Sequence, residues 1–344
     1  MKILVTHELF PPEVTRMGER IMYEIAKRLQ KERFEIKVLT TGNPKIKRYD
    51  RIETIRLPIH RYLMNLAILS VYKHAKDCDL ILTSNYNACF PSFVAAKLLK
   101  KPVVCLAQGM YGKRWLLMRG HIFGSISMIV EEFQINHDYD KIIFFSKYGR
   151  DAALEIGVKK ESTQIIKPGF DNKKFYAGKK EPYVLFVGRL AKQKGLDYLI
   201  KAAKELPNIQ FKIVGGGEDE KRLKSIAPNN IEFLGFLPEK ELTEIYSKAL
   251  IFCLPSVGET LGFVLLEAMA SGCAIVSTVP LDYDGIKVKI ADLKQLKGGI
   301  RYLIDNPKKA IKMGRNNMKK VKQYNWNNFI KGLIKIYREV LSSR

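Results

Sequence analysis

Two carboxylates frame an apolar run in Pro255-Ser-Val-Gly-Glu259-Thr-Leu-Gly-Phe-Val-Leu-Leu-Glu267-Ala-Met-Ala-Ser-Gly272. Pro255 and Gly258 mark a turn, so Glu259 stands in a loop, and the run from Leu261 reads as the first turns of a helix from which Glu267 projects. The acids are eight positions apart, close to two turns of about 3.6 residues, which lets them face one side. That side is the helix N-terminus, where the amides of Leu261, Gly262 and Phe263 lack intrahelical partners and attract phosphate. Acids that hold hydroxyls beside amides that hold phosphate describe a site for a nucleotide sugar.

A second segment supplies the countercharge. Tyr183-Val-Leu-Phe-Val-Gly188-Arg189-Leu-Ala-Lys192-Gln-Lys194-Gly195 is an apolar strand that breaks at glycine and delivers cations into a glycine-ended turn. Arg189 and Lys194 thus leave the carboxyl end of a strand, where open α/β sheets bind their ligands, and can neutralise a diphosphate. Lys192, between them, reads as a surface residue.

In these residues the chain resembles the family 4 glycosyltransferases of the GT-B fold. Their signature pairs a Gly-Arg-Leu…Lys-Gly turn, here Gly188-Arg189-Leu190 and Lys194-Gly195, with a later Glu-x7-Glu motif, here Glu259 and Glu267. The resemblance runs over nearly the whole chain. It implies two Rossmann-like parallel-sheet α/β domains facing across a cleft, and transfer of a hexose from a UDP-, GDP- or ADP-sugar to an acceptor hydroxyl with its anomeric configuration kept. It assigns the donor sugar to Glu259, the ribose to Glu267, the departing phosphate to Arg189, Lys194 and the amides at Leu261–Phe263, and the base to the backbone of Leu237. Gly188 and Gly215 would approach the donor at strand-end turns. No metal or other cofactor is implied, and the leaving phosphate itself takes the acceptor proton, so no dedicated base is implied either.

The N-terminal half carries the acceptor side of the resemblance with departures. His7-Glu-Leu-Phe-Pro11-Pro12-Glu-Val-Thr-Arg-Met17-Gly18 leaves the first strand where the family usually ends a loop in Gly-Gly, so Gly18 alone offers a close backbone approach. Gln108-Gly109 stands where many relatives have a histidine before glycine, and an amide cannot act as a base. Gln108 either hydrogen-bonds donor or acceptor or is a polar strand end, and His7 is either a titrating group or a structural hydrogen-bonder. The family's glycine-rich loop with a further acid is shortened here, after Thr278, to Val279-Pro-Leu-Asp-Tyr-Asp-Gly285.

Short apolar strands alternate with helical patterns along the chain, the signature of parallel βα units. Strands are expected at 3–5, 36–39, 80–82, 103–106 and 142–145, then at 183–187, 211–214, 231–233, 251–254 and 274–277. Residues 167–182 are rich in turn formers and charge and read as a linker. Domains are therefore expected over 1–168, on the acceptor side, and 182–324, on the nucleotide-sugar side. Phe329, Leu333, Tyr337 and Val340 form a helical stripe, and the family's last helix, here 325–344, returns to the first domain.

With 344 residues the chain suits two such domains. Its five cysteines have no metal-ligand spacing and sit in or beside apolar runs, as in a reducing cytoplasm. No apolar stretch approaches the roughly 20 residues of a membrane span, and the start lacks a signal-peptide core. The net charge of +24 is either a solvated surface or a basic functional face.

Met110-Tyr-Gly-Lys113-Arg114-Trp115-Leu-Leu-Met-Arg119-Gly-His121-Ile-Phe123 alternates cations with aromatics. It is either an amphipathic helix over the first domain or an interface with anionic headgroups on the inner membrane face, which would suit a lipid-linked rather than a glycan acceptor. A GT-B epimerase or hydrolase would share the cleft without transferring. A nucleic-acid binder would interleave cations with exposed aromatics on one face, whereas these motifs converge, so no nucleic acid is expected.

Overall fold

The computed structural model describes residues 1–13 and 17–343, with backbone alone for residues 17–19. The chain forms two compact units: Met1–Gly112 with Ser125–Gly169 and Trp326–Arg344, and Lys113–Gly124 with Phe170–Asn325.

The first unit is built on β1 (Lys2–Thr6), β2 (Glu35–Thr41), β3 (Arg48–Tyr49), β4 (Ile52–Leu57), β5 (Leu80–Ser84), β6 (Val103–Ala107), β7 (Lys141–Phe144) and β8 (Thr163–Ile165), in the order β3-β4-β2-β1-β5-β6-β7-β8. All pairs are parallel except β3 with β4. Central strands of such a sheet are covered on both faces, which is why β5 and β6 are buried at every residue, β6 as an unbroken apolar run and β5 as Leu-Ile-Leu before Thr83 and Ser84. Strand order reverses between β1 and β5, so connections leave these neighbours in opposite directions at their carboxyl ends.

The helix Met17–Lys31 buries Ile21, Met22, Ile25, Ala26 and Leu29, one stripe at helical spacing. The last helix, Trp326–Ser342, belongs to this unit and buries Phe329, Leu333, Tyr337 and Val340. Phe329 meets Phe145 edge-on at 5.8 Å, and the Arg28 guanidinium lies 4.0 Å from the Trp326 ring.

The second unit carries β9 (Glu181–Val187), β10 (Gln210–Val214), β11 (Ile231–Gly235), β12 (Ala249–Leu254), β13 (Ala274–Ser277) and β14 (Gly285–Lys287), all parallel, in the order β11-β10-β9-β12-β13-β14. Its order reverses between β9 and β12. All five cysteines are free and buried, Cys78, Cys89 and Cys105 in the first unit and Cys253 and Cys273 in the second.

The structure departs from the sequence reading at several places. β3, β4, β8 and β14 were not anticipated. In β4 the alternation Ile-Glu-Thr-Ile-Arg-Leu is interrupted by Arg56, whose guanidinium is buried and donates to the Phe10 carbonyl and, at 3.0 Å, to Glu13. The helix expected from Leu261 begins at Phe263, because its N-cap Gly262 has φ 73° and ψ 87°.

The stretch Arg114–Ile135 is helical with a break at Gly120, and residues 113–124 group with the second unit rather than covering the first. Arg114 donates to the Glu259 carbonyl at 2.8 Å and Arg119 lies over the Trp115 ring at 5.1 Å. Arg114 is half-buried on that carbonyl, whereas Lys113 and Arg119 are exposed. Among the described residues no helix is long and apolar enough to cross a membrane.

Candidate functional site

In the second unit, the connections at the carboxyl ends of β9 and β12 fold onto each other at the point where strand order reverses. Residues 189–195 follow β9 and residues 255–262 follow β12. The Gln193 carbonyl accepts the amides of Val257 at 2.9 Å and Gly258 at 3.3 Å. A Cβ at Gly195 would collide with the Pro255 carbonyl oxygen, and φ there is +71°, so this close approach requires glycine.

The fold joins the two sequence motifs by a direct ion pair: Lys194 Nζ lies 2.5 Å from Glu259 Oε2, with side-chain exposures of 19% and 14%. Arg114 bonds the Glu259 carbonyl, and Met118 lies where a Cβ on Gly258 would be. Glu259 is thus fixed through its carboxylate and through its backbone.

Arg189 points elsewhere, its Nε donating to Glu218 Oε2 at 2.8 Å with both side chains about half-exposed. Leu190 donates its amide to Gly216 and accepts the amide of Asp219, which ties the β9 turn to the one after β10. Gly188 lies under that turn: a Cβ at Gly215 would strike the Gly188 carbonyl oxygen. Leu237 follows β11, half-buried, and its neighbour Phe236 is 84% exposed.

Glu267 projects from the helix Phe263–Ala270, otherwise apolar and mostly buried. Tyr246 Oη donates to Glu267 Oε2 at 2.8 Å. Burial, reinforced by the charge of Glu239, pushes the carboxyl up to about 7, against the opposing pull of the Tyr246 bond. The amides of Leu261, Gly262 and Phe263 lie at the N-terminal end of this helix, and Leu261 and Gly262 are buried. Beyond β13, the shortened loop is held by Tyr283 Oη on the Ser277 carbonyl and by Thr278 Oγ1 on the Ser256 carbonyl.

In the first unit the loops after β1 and β5 meet at the other reversal of strand order. His7 is 4% exposed, with Nδ1 2.6 Å from Ser84 Oγ. Burial, with the Arg61 charge, lowers its pKa to about 4, so it is a neutral imidazole at physiological pH. Glu8 is buried, accepts the backbone amide and side-chain amide of Asn87, and pairs with Arg61 at 2.9 Å. The Gln108 backbone N–H donates to Asn85 Oδ1 at 2.8 Å, and Asn85 Nδ2 donates to the Gly109 carbonyl at 2.6 Å. Gly18 falls in the first turn of the helix Met17–Lys31, and its surroundings lie outside the described residues.

Sequence reasoning missed Tyr246, Gln193, Arg114, Glu218 and the Glu8–Asn87–Arg61 cluster. Apart from the Lys-Glu charge complementarity of residues 194 and 259, nothing local announces these contacts.

Comparison with known proteins gives the family. The model for glycosyl transferases group 1 matches residues 170–320, and that for glycosyltransferase family 4 matches residues 18–174. An uncharacterized glycosyltransferase of Methanocaldococcus jannaschii is 29% identical over 58% of the chain and 60% of its own length. Sucrose-phosphate synthase of Thermosynechococcus elongatus superposes with a TM-score of 0.84 at 20% identity, with both chains covered completely. Anabaena HepE in complex with UDP-glucose superposes with a TM-score of 0.76, again at 20% identity and complete coverage of both chains. The two family models adjoin along the chain and the neighbours share its two parallel-sheet units, so the chain belongs to the group 1, family 4 glycosyltransferases and has the GT-B fold.

Proposed function

We propose that the protein moves a hexose from a nucleoside-diphosphate sugar to an acceptor hydroxyl with retention of configuration. The observation that carries this reading is the part-buried Lys194–Glu259 pair beside the N-terminus of the helix that bears Glu267. A cation, helix amides and two carboxylates within one strand-end region match a ligand that is anionic at its centre and hydroxylated at both ends.

In this reading Glu267 takes the ribose hydroxyls and Glu259 those of the sugar. Arg189, Lys194 and the amides at 261–263 stabilise charge as it develops on the departing β-phosphate, where preorganised donors act most strongly. The backbone at Leu237 reads the base, and the exposed ring of Phe236 offers it a stacking face. Gly188, Gly215 and Gly18 leave room for the donor. His7, buried and neutral, serves by holding the loop after β1, while Gln108 contacts the acceptor side through its amide. The leaving phosphate takes the acceptor proton in place of a dedicated base, and Arg189, Lys194 and the helix amides supply the countercharge that a divalent cation would otherwise provide.

HepE is described with UDP-glucose, which makes that donor the first to test. Thermal denaturation with UDP-glucose, GDP-mannose and ADP-glucose should single out one donor, with stabilisation of about 2.7 kcal/mol at a hundredfold excess over its dissociation constant. With that donor in EDTA, NMR of the product should show the donor's anomeric configuration. No shift with any nucleotide sugar, or an inverted product, would refute the reading, and sugar release that no acceptor extract can redirect would favour a hydrolase or epimerase.

A further inference from the structure

Three consecutive helices of the first unit share an outer surface that is unusually apolar. In the helical run from Ser125, Ile126, Ile129, Val130 and Phe133 recur at i, i+3, i+4 and i+7, a single stripe about 100° wide, and all are exposed. Stripes of this kind ordinarily face a core, yet Ile129 is 66% exposed.

The helix Cys89–Leu99 abuts the end of this stripe. Phe90 lies 4.8 Å from Phe133, Phe93 stacks on His137 at 4.7 Å, and Leu98 is exposed. The helix Ile68–Ala75 packs on Cys89–Leu99 in turn and presents Leu69, 82% exposed, just after the exposed Leu66.

Lysines accompany the apolar residues on the same helices. Leu69, Tyr72, Lys73 and Lys76 follow one helical face, with the Lys76 ammonium 5.2 Å from the Tyr72 ring. Lys97 lies 5.4 Å from the Phe93 ring, and Lys100 follows it at the helix end. Among the acids of the Gly120–Ile135 run, Glu131 turns inward to the amides of Tyr111 and Gly112, leaving Glu132 exposed. Apolar side chains beside aromatic rings and flexible cations are the composition of an interfacial surface, where the apolar part enters the acyl boundary and lysines reach the headgroups.

We propose that this face docks the protein on an anionic lipid bilayer, lying in the plane of the interface. Anionic headgroups complement its lysines, whereas a second copy of the same face would bring lysine to lysine. The surface involves neither Arg114 nor Arg119. It rests on the transferase reading only in its corollary, that the acceptor hydroxyl is carried by a lipid.

The test is flotation of the full chain with vesicles of phosphatidylcholine alone and of phosphatidylcholine mixed with phosphatidylglycerol, at low and high salt. Binding is expected with the anionic vesicles and should weaken with salt. The combined variant Ile126→Ser, Ile129→Ser and Phe133→Ser should lose about tenfold or more of it, as should Lys73→Gln with Lys76→Gln and Lys97→Gln. An unchanged melting temperature and unchanged nucleotide-sugar stabilisation show that the variants are folded, and keep failure of docking separate from failure of the transferase reading. No flotation, flotation untouched by either set, or a concentration-dependent dimer dissolved by the serine variant would each overturn the proposal, the last in favour of a second copy.

Discussion

Lys194→Ala is expected to slow sugar transfer by on the order of a hundredfold, the scale on which loss of one preorganised electrostatic donor is felt. Arg189→Ala should approach the same loss, through the phosphate alone, because its partner Glu218 is well exposed and rehydrates when freed. Lys194 differs because its partner is enclosed. Removing the ammonium leaves the Glu259 carboxylate part-buried without its cation, an arrangement that costs more than the lost attraction itself.

Adding Glu259→Gln to Lys194→Ala should therefore cost much less than the two single changes combined, a non-additivity measurable as a double-mutant cycle on kcat/KM. Strictly additive losses would mean that the pair does not act as a unit. Glu259→Gln alone should impair the sugar donor while sparing the free nucleoside diphosphate.

The second large effect concerns Glu267. Its carboxyl, pushed up to about 7 by burial, is half-protonated near neutrality in the ligand-free protein. Ribose hydroxyls are best accepted by the ionised form, so nucleotide affinity should rise by about tenfold from about pH 6 to about pH 8, following the ionised fraction. Glu267→Gln should weaken nucleoside diphosphate and donor alike and flatten that rise. The phosphate titration is common to both proteins, so calorimetric profiles of the two isolate the carboxyl, and parallel profiles would refute the assignment.

For folding the sign is opposite. A carboxyl whose pKa is raised in the folded state adds stability that is fully present below about pH 4.5 and is lost as pH rises through about 7. Ligand and fold thus pull Glu267 in different directions, which is a reason for Tyr246 to donate to it.

The parts of the fold legible from sequence are those set by local pattern. The fully covered strands β5, β6 and β12 and the buried part of β9, from Tyr183, stand out by their apolar runs, and the stripe Phe329-Leu333-Tyr337-Val340 gives the last helix. β4 stayed hidden because a buried arginine interrupts its alternation, and the terminal nitrogens of its guanidinium bond groups 43 to 46 positions earlier. The Lys194–Glu259 pair joins residues 65 apart, and Tyr246 reaches Glu267 across 21. Such contacts follow from strand order and helix placement, which no local spacing encodes.

Charge patterning carries a related ambiguity. Lys113, Arg114 and Arg119 have similar spacing and charge, yet only Arg114 is drawn in, by the Glu259 carbonyl, while Lys113 and Arg119 stay exposed. The stripe from Ile126 to Phe133 has the periodicity of a buried helix and gives no sign on its own that it is open to solvent.

The five enclosed cysteines give each half of the chain its own clock. Burial pushes Cys89 and Cys273 up to about 11 and raises Cys78, Cys105 and Cys253 as well, so the reactive thiolate is scarce and sterically shielded in the native state. Alkylation by iodoacetamide then proceeds only as fast as the surrounding structure opens. Peptide mass spectrometry would time that opening separately at Cys105 and at Cys253, on the two sheets. Equal rates would mean that the sheets come apart in one cooperative event, and a donor that slows Cys253 alone would show its stabilisation ending at the boundary of the unit that binds it.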